Sequence, residues 1–260
     1  MKISLIQMNI FEKNKSKNVE NGLRLLTQSA FDTDVIVMPE IWTTGYSLGK
    51  IKEDATKIDS ELIGKIKKIA KDNSTNIIAG SIPIIDEKMN VTNSSLVINR
   101  SGEVIFQYDK IHLFGMFNEK NFFKQGENVD VYKLDEITCG TAICYDLRFP
   151  EYFRYLALKG AKIIFVPAEW PKLREDVWKL LLKARAVENQ IFICAVNCAG
   201  SFKGEKFAGN SMIISPTGEV LVQADAEEQV ASFEIDLDEI TKLQNKIDVL
   251  ADSRMHLFNI

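Results

Sequence analysis

Apolar stretches recur along the chain and alternate with segments of helical period. Ile3–Met8, Asp34–Met38, Asn76–Gly80, Ile137–Ile143, Lys162–Val166 and Ile191–Val196 are apolar almost throughout, the pattern of strands buried on both faces. Ser60–Asp72 reads as a helix: Ser60 can cap it, and Leu62, Ile63, Ile66, Ile69 and Ala70 share a face. Lys172–Asn189 reads as a second helix, with Leu173, Val177, Leu181 and Ala184 in phase. Pro150–Lys159 and a stretch within Ser16–Ala30 complete the set. Such alternation predicts an α/β layered fold. No linker, low-complexity tract or charge block divides the chain, so residues 1–260 are expected to form a single domain.

Two pairs of segments look alike. Asp34-Val-Ile-Val-Met-Pro-Glu-Ile-Trp42 resembles Lys162-Ile-Ile-Phe-Val-Pro-Ala-Glu-Trp170, and Ser95–Gln107 resembles Ser211–Gln223, with Gly102 and Gly218 at matching hairpin turns. Two readings stand: strands and hairpins resemble one another in general, or the chain holds two similar sheets with one strand–helix–strand–hairpin order.

Composition narrows the class. Hydrophobic residues at 46% and charged residues at 26% are those of an ordinary globular protein, which excludes disorder and coiled coil. A net charge of −4 offers no basic excess for nucleic acid. No apolar run nears the ~20 residues a membrane helix needs. The residues after Met1 lack the length and flanks of a signal peptide, so a cytoplasmic location is expected. Four cysteines in a chain this long do not make a disulfide scaffold, and two histidines, His112 and His256, exclude a histidine-rich metal site. No metal or cofactor is expected.

The segment richest in chemistry is Thr138-Cys-Gly-Thr-Ala-Ile-Cys144-Tyr-Asp-Leu-Arg148-Phe-Pro150-Glu151. An apolar strand runs to Cys144 and a helix opens near Pro150, a favoured first-turn residue. A cysteine on such a bend follows the logic of a nucleophile elbow, with the N–H groups after it facing any anion formed beside the sulfur. The bland alternative is a buried structural thiol. Cys139, at an odd offset of five on the same strand, points to the opposite face and is a poor resolving partner for a redox thiol. A thiol needs a base at neutral pH. His256 lies in the tail, and His112 alternates with Lys110, which it is placed to support. A carboxylate therefore remains, and Glu40 fits: Pro39 ends the Val35–Met38 strand abruptly, and ligands in α/β sheets sit beyond the carboxyl ends of strands. A loop Glu in water is the alternative. Lys110 follows the hairpin strand and reads either as a snorkelling surface residue or as a point charge for an oxyanion.

Glu40, Lys110 and Cys144, in that order and each in its own segment, resemble the catalytic set of the nitrilase (carbon–nitrogen hydrolase) superfamily. The likeness rests on Met38-Pro-Glu40, Tyr108-Asp-Lys110-Ile-His-Leu and Cys144-Tyr-Asp-Leu-Arg-Phe-Pro-Glu151, with Ala184–Gln190 and Ser215–Glu219 in support. It implies a four-layer αββα sandwich. Tyr145-Asp146 and Ala168-Glu-Trp170-Pro171 look closest to the omega-amidase branch, which hydrolyses 2-oxoglutaramate and 2-oxosuccinamate. True nitrilases carry Trp-Glu after the cysteine, which argues against a nitrile substrate. N-carbamoyl amine or amino-acid hydrolases share the triad and stay as an alternative, as does a non-catalytic interaction protein on the same fold.

The resemblance further implies a second glutamate, best matched by Glu119 with Glu127 as the fallback, which would orient Lys110 and the substrate amide. Lys110 and the Tyr145 N–H would hold the oxyanion. Tyr46, Phe114, Phe117, Tyr145, Glu169 and Trp170 are candidates for the pocket, while Trp42 and Trp178 are assigned to packing. Arg148 would either bind a distal carboxylate or brace the elbow through a carboxylate partner. Residues 111–129 are expected to form a loop over the site. Family members usually form homodimers, and the tail, about 247–260 with Arg254, is expected to reach the partner subunit.

Overall fold

The computed structural model describes residues 1–254 and 257; His256 and the end of the expected tail lie outside the described residues. Two large sheets, of seven and six strands, lie face to face. In the first, Lys2–Gln7, Val35–Val37 and Asn76–Ile78 run parallel, Val91–Ile98 returns antiparallel, and Val104–Asp109 folds back along it. In the second, Ile137–Thr141, Ile163–Pro167 and Phe192–Val196 run parallel, Met212–Ile214 returns, and Val220–Gln223 folds back. Helices Lys15–Ser29 and Glu61–Asn73 make the crossovers of the first, Pro150–Leu158 and Glu175–Asn189 those of the second. Both sheets thus share one order, the order to which the paired segments pointed.

Period-two alternation sets the layers. Ile3, Leu5, Val35 and Val37 meet Ile163, Phe165, Phe192 and Cys194 between the sheets. Ile6, Ile36 and Met38 point the other way, onto Leu25, Leu26, Ile63 and Ile66 of the first helix pair. Ile164, Val166 and Ile193 do the same with Phe153, Leu156, Trp178 and Leu182 of the second. The architecture is therefore the expected αββα sandwich. Each fully buried side chain of this size contributes about 1.5–3 kcal/mol relative to exposure, which is why the central strands Val35–Val37, Ile163–Pro167 and Phe192–Val196 carry apolar residues at every position.

Ser60 caps its helix as expected, its Oγ accepting from the Ile63 N–H at 3.4 Å. The helix read as Lys172–Asn189 starts instead at Glu175, after a 3-10 turn at Lys172–Arg174, and Leu173 stays 83% exposed. Its buried face is Trp178, Leu182, Arg185, Ala186 and Asn189, one residue out of the expected phase. The reason is that two of those positions are polar, and their burial rests on hydrogen bonds rather than on hydrophobicity. The pattern also gave no sign of Gln229–Glu234, which pairs antiparallel along the whole Lys2–Gln7 edge. The strand leading to the elbow ends at Thr141, so Cys144 stands on the 3-10 turn Cys144–Arg148 rather than on the strand of Cys139. Cys139 is packed between the sheets.

Candidate active site

Glu40, Lys110, Glu119 and Cys144 converge beyond the carboxyl ends of the central strands. Glu40 follows the Val35–Val37 strand on a turn held from below: the Ile41 N–H donates to Ser81 Oγ at 2.8 Å and the Ser81 N–H to Pro39 O at 3.0 Å. Lys110 follows the Val104–Asp109 strand, its N–H bound to Asn93 O. Glu119 opens the second of two 3-10 turns in the covering segment, which Lys124 and Gly126 pin to Val91 O and Lys110 O. The Lys110 amine donates to Glu40 Oε1 at 2.8 Å and to Glu119 Oε1 at 3.0 Å, with all three side chains fully buried. Asn93 Nδ2 donates to Glu40 Oε1 at 2.9 Å, Tyr46 Oη to Glu119 Oε1 at 2.9 Å, and the Phe114 N–H to Glu119 Oε2 at 2.9 Å.

Cys144 adopts φ +43°, a left-handed conformation that costs a non-glycine residue of order 1–3 kcal/mol. Asp146 holds this bend. Its Oδ2 accepts the Ile143 N–H at 2.8 Å and Tyr108 Oη at 2.7 Å, and its Oδ1 meets the His112 N–H at 3.1 Å and His112 Nδ1 at 2.8 Å. His112 therefore supports the elbow through Asp146 and stacks on Phe149, instead of supporting Lys110. Arg185 adds a second brace, donating twice to Leu147 O at 2.8 and 3.1 Å. The Tyr145 N–H lies in the first turn, where the turn itself offers no acceptor.

Electrostatics set the resting state. Burial pushes the Cys144 thiol well up and the Glu40 charge adds to it, so the proton stays on sulfur despite Lys110. Burial alone would lower the Lys110 amine; the Glu119 and Glu40 carboxylates outweigh it and hold the amine well above its ordinary value. Burial raises Glu119, with Lys110 opposing. The set is a protonated thiol beside a carboxylate and a fixed cation, an arrangement suited to general-base activation of a nucleophile and to stabilising negative charge.

A narrow cavity of about 20 Å³ opens onto Cys144 and is walled by Tyr46, Phe114, Phe117, Tyr145, Glu169 and Trp170, with Arg148 and Arg174 also lining it. Wider grooves elsewhere on the surface, such as that between Lys15–Leu23 and Ala55–Lys65, contain none of the clustered residues. Among the described residues Arg148 pairs with no carboxylate; it is exposed and lies 5.4 Å over the Trp170 ring, and the elbow is braced by Asp146 and Arg185. Glu127 is exposed, unlike the fully buried Glu119. Sequence reasoning missed Asn93, Asp146, Arg174 and Arg185. Asp146 and Arg185 stood inside segments already singled out, whereas nothing marked Asn93.

Comparison with known proteins agrees with this geometry. A family model for carbon–nitrogen hydrolases matches residues 2–245, and the chain belongs to that family, within the nitrilase superfamily. The 2-oxoglutaramate amidase of Bacillus subtilis (strain 168) is 38% identical over 256 residues, covering 98% of each chain. A CN-hydrolase superfamily protein from Xanthomonas campestris, solved with an arsenic adduct in its active site, superposes with a TM-score of 0.90 at 28% identity, over 97% of each chain. A variant of the amidase from Nesterenkonia sp. AN1, solved after Michael addition of acrylamide at its active-site cysteine, has a TM-score of 0.87 at 25% identity, over 100% of this chain and 98% of that one.

Proposed function

We propose that the protein is a thiol-dependent amidase that hydrolyses a small linear amide to a carboxylate and ammonia, acting best on the ω-amide of a short 2-oxo dicarboxylate such as 2-oxoglutaramate or 2-oxosuccinamate. The observation that carries the reading is the buried Glu40–Lys110–Glu119 cluster beside a cysteine on a strained turn. Glu40 takes the Cys144 proton as the sulfur attacks the amide carbon. Lys110 and the Tyr145 N–H hold the oxyanion while Glu119 fixes the amine of Lys110. The C–N bond breaks as Glu40 returns the proton to nitrogen, and ammonia leaves. Water, giving its proton to Glu40, then attacks the thioester and frees the acid and the thiol. No metal or organic cofactor enters any step.

Substrate choice follows from the pocket. Aromatic walls suit a short chain, and Arg148 and Arg174 suit a distal carboxylate. The Bacillus subtilis relative's name supports the same choice. Ammonia release from 2-oxoglutaramate, 2-oxosuccinamate, glutamine, an aliphatic amide, a nitrile and an N-carbamoyl amino acid tests it, with C144A beside the wild type. Turnover confined to the oxo-amides and lost in the variant is the expected result. Turnover of the carbamoyl compound alone replaces the substrate, and silence across the panel refutes the reading.

The same reading takes residues 1–260 as one catalytic unit, working as a homodimer in the cytoplasm. Leu158, Leu180 and Val187 stand exposed on the two helices that cover the second sheet, an apolar face suited to a second copy. The start of the tail docks beside them, with Gln190 bonded to Ile247 O and the Val249 N–H, which supports its reach toward a partner. Four unpaired buried cysteines suit a reducing compartment. A monomeric mass in solution overturns the dimer.

A further inference from the structure

Glu169 is buried to 1% exposure in the wall of the Cys144 cavity, and among the described residues neither of its carboxyl oxygens has a hydrogen-bond partner. The backbone around it is fully anchored. The Ala168 N–H donates to Val196 O, the Glu169 N–H to Glu40 Oε2 at 3.1 Å, and the Trp170 N–H to Asn197 Oδ1 at 2.7 Å. None of these bonds needs a carboxyl side chain. An apolar residue would hold the turn as well and would avoid the cost of an unsatisfied buried acid. The carboxyl group is therefore unexplained by folding and faces the reacting centre.

A count of acceptors gives it a use. A primary carboxamide brings two N–H donors, and the oxyanion side of the site, Lys110 and the Tyr145 N–H, offers donors only. Glu40 Oε1 already accepts from Lys110 and Asn93, and Glu119 Oε1 from Lys110 and Tyr46. Glu40 Oε2 accepts from the Glu169 N–H and keeps one place, since Tyr46 Oη, 3.5 Å away, gives its proton to Glu119 Oε1; Glu119 Oε2 accepts from the Phe114 N–H. A second N–H of the substrate needs another acceptor in the same cavity.

We propose that Glu169 binds the nitrogen of the scissile carboxamide, so that together with Glu40 it selects unsubstituted amides over N-alkyl amides. This rests on the amidase reading above and names the group that would restrict it to primary amides. An N-methyl substituent removes one N–H and drives a carbon against the Glu169 oxygens. Glu169 acts as the neutral acid: burial and the Glu40 charge push its proton affinity well up, with Lys110 opposing and Glu119 adding. Tyr46 and Cys198 are the other titratable groups that feel its charge, and Cys144 lines the same cavity. In that form its carbonyl oxygen accepts the substrate N–H, and a glutamine is its close mimic.

The test compares kcat/KM for 2-oxoglutaramate and its N-methyl amide in wild type, E169A and E169Q, across pH ~7–9. E169A should lose about tenfold or more on the primary amide and narrow the primary-to-N-methyl ratio by a similar factor, while E169Q stays within about threefold of wild type. E169Q should also keep the wild-type preference for the primary over the N-methyl amide, because glutamine offers the same carbonyl acceptor. Thermal midpoints are read in parallel, and E169A should melt no lower than wild type, since the acid serves no fold contact. Wild-type rates and selectivity in E169A overturn the proposal, as does loss of the primary-amide preference in E169Q. If E169A does not fold, the primary-to-N-methyl ratio of E169Q decides alone. A wild type that hydrolyses no amide sinks the amidase reading, and this proposal with it; an active wild type with an indifferent E169A sinks only this proposal.

Discussion

Removing the Lys110 amine isolates the electrostatics of the cluster. Lys110→Met keeps the length and packing of the side chain and deletes the charge that sits 2.8 and 3.0 Å from two fully buried carboxyl oxygens. Breaking a buried pair by removing one partner costs about 3–5 kcal/mol, because the charge left behind has neither water nor a counterion. The loss should depend on pH, and its sign is fixed. Burial raises Glu119 above its unfolded value and Lys110 opposes that rise, so without the amine the folded state holds its proton to higher pH. A raised carboxyl binds more protons folded than unfolded, so it lowers stability as pH climbs past the unfolded value of about 4.3, by up to ~1.4 kcal/mol per pH unit. The difference between wild type and variant should therefore be smallest at acid pH and grow once pH passes the point where wild-type Glu119 ionises, by up to ~1.4 kcal/mol per pH unit. Urea unfolding of both proteins at a series of pH values, with the slope of each transition checked, reads it directly. A deficit that is the same at both ends would assign the effect to lost packing and refute the electrostatic account. Absence of any deficit would refute the burial of the cluster.

Three further outcomes follow from the site and its supports. Asp146→Ala removes the acceptor of four donors beneath the elbow; we expect about 2–4 kcal/mol of lost stability and at least a tenfold drop in turnover, measured by chemical denaturation and ammonia release. Arg148→Ala and Arg174→Ala should each raise KM for an oxo-acid amide by about tenfold or more while leaving a neutral aliphatic amide nearly unaffected, as steady-state kinetics on the two substrates will read. Gly80 has φ +62°, and a Cβ there would stand 2.0 Å from Pro39 O, directly under the Glu40 turn; Gly80→Ala should cost about 2 kcal/mol or more in a thermal melt and lower activity with it.

How legible the molecule was in its sequence depends on which force places each residue. Strands such as Ile163–Pro167 and Phe192–Val196 are apolar on both faces because a sheet lies on one side and helices on the other, so composition alone marked them. Ser60 was readable because capping is local. The Glu175–Asn189 helix was misphased because Arg185 and Asn189 are buried through hydrogen bonds to Leu147 O and Arg185 O, which no hydrophobic pattern encodes. The Gln229–Glu234 strand was hidden because it closes an edge, where its side chains alternate between partial burial and solvent. Glu40, Lys110 and Cys144 each follow a readable strand, which left their roles open; the resemblance to the nitrilase superfamily singled them out. Asn93 was not, since a polar residue inside a hairpin strand declares itself only when the far-off Glu40 arrives beside it. The role of Asp146 depends on Tyr108 and His112 from a segment that only the fold brings near.

The central claim is that Cys144 carries the acyl group of an amide while Glu40 moves its proton. Mixing the protein with 2-oxoglutaramate, quenching in acid within the first turnovers and weighing the peptide that contains Cys144 tests it most directly. The account predicts an acyl adduct on that peptide that forms as the first ammonia is released, is absent from C144A, and neither forms nor decays at the normal rate in Glu40→Gln. Ammonia release by C144A, or turnover with no adduct on Cys144, would contradict it.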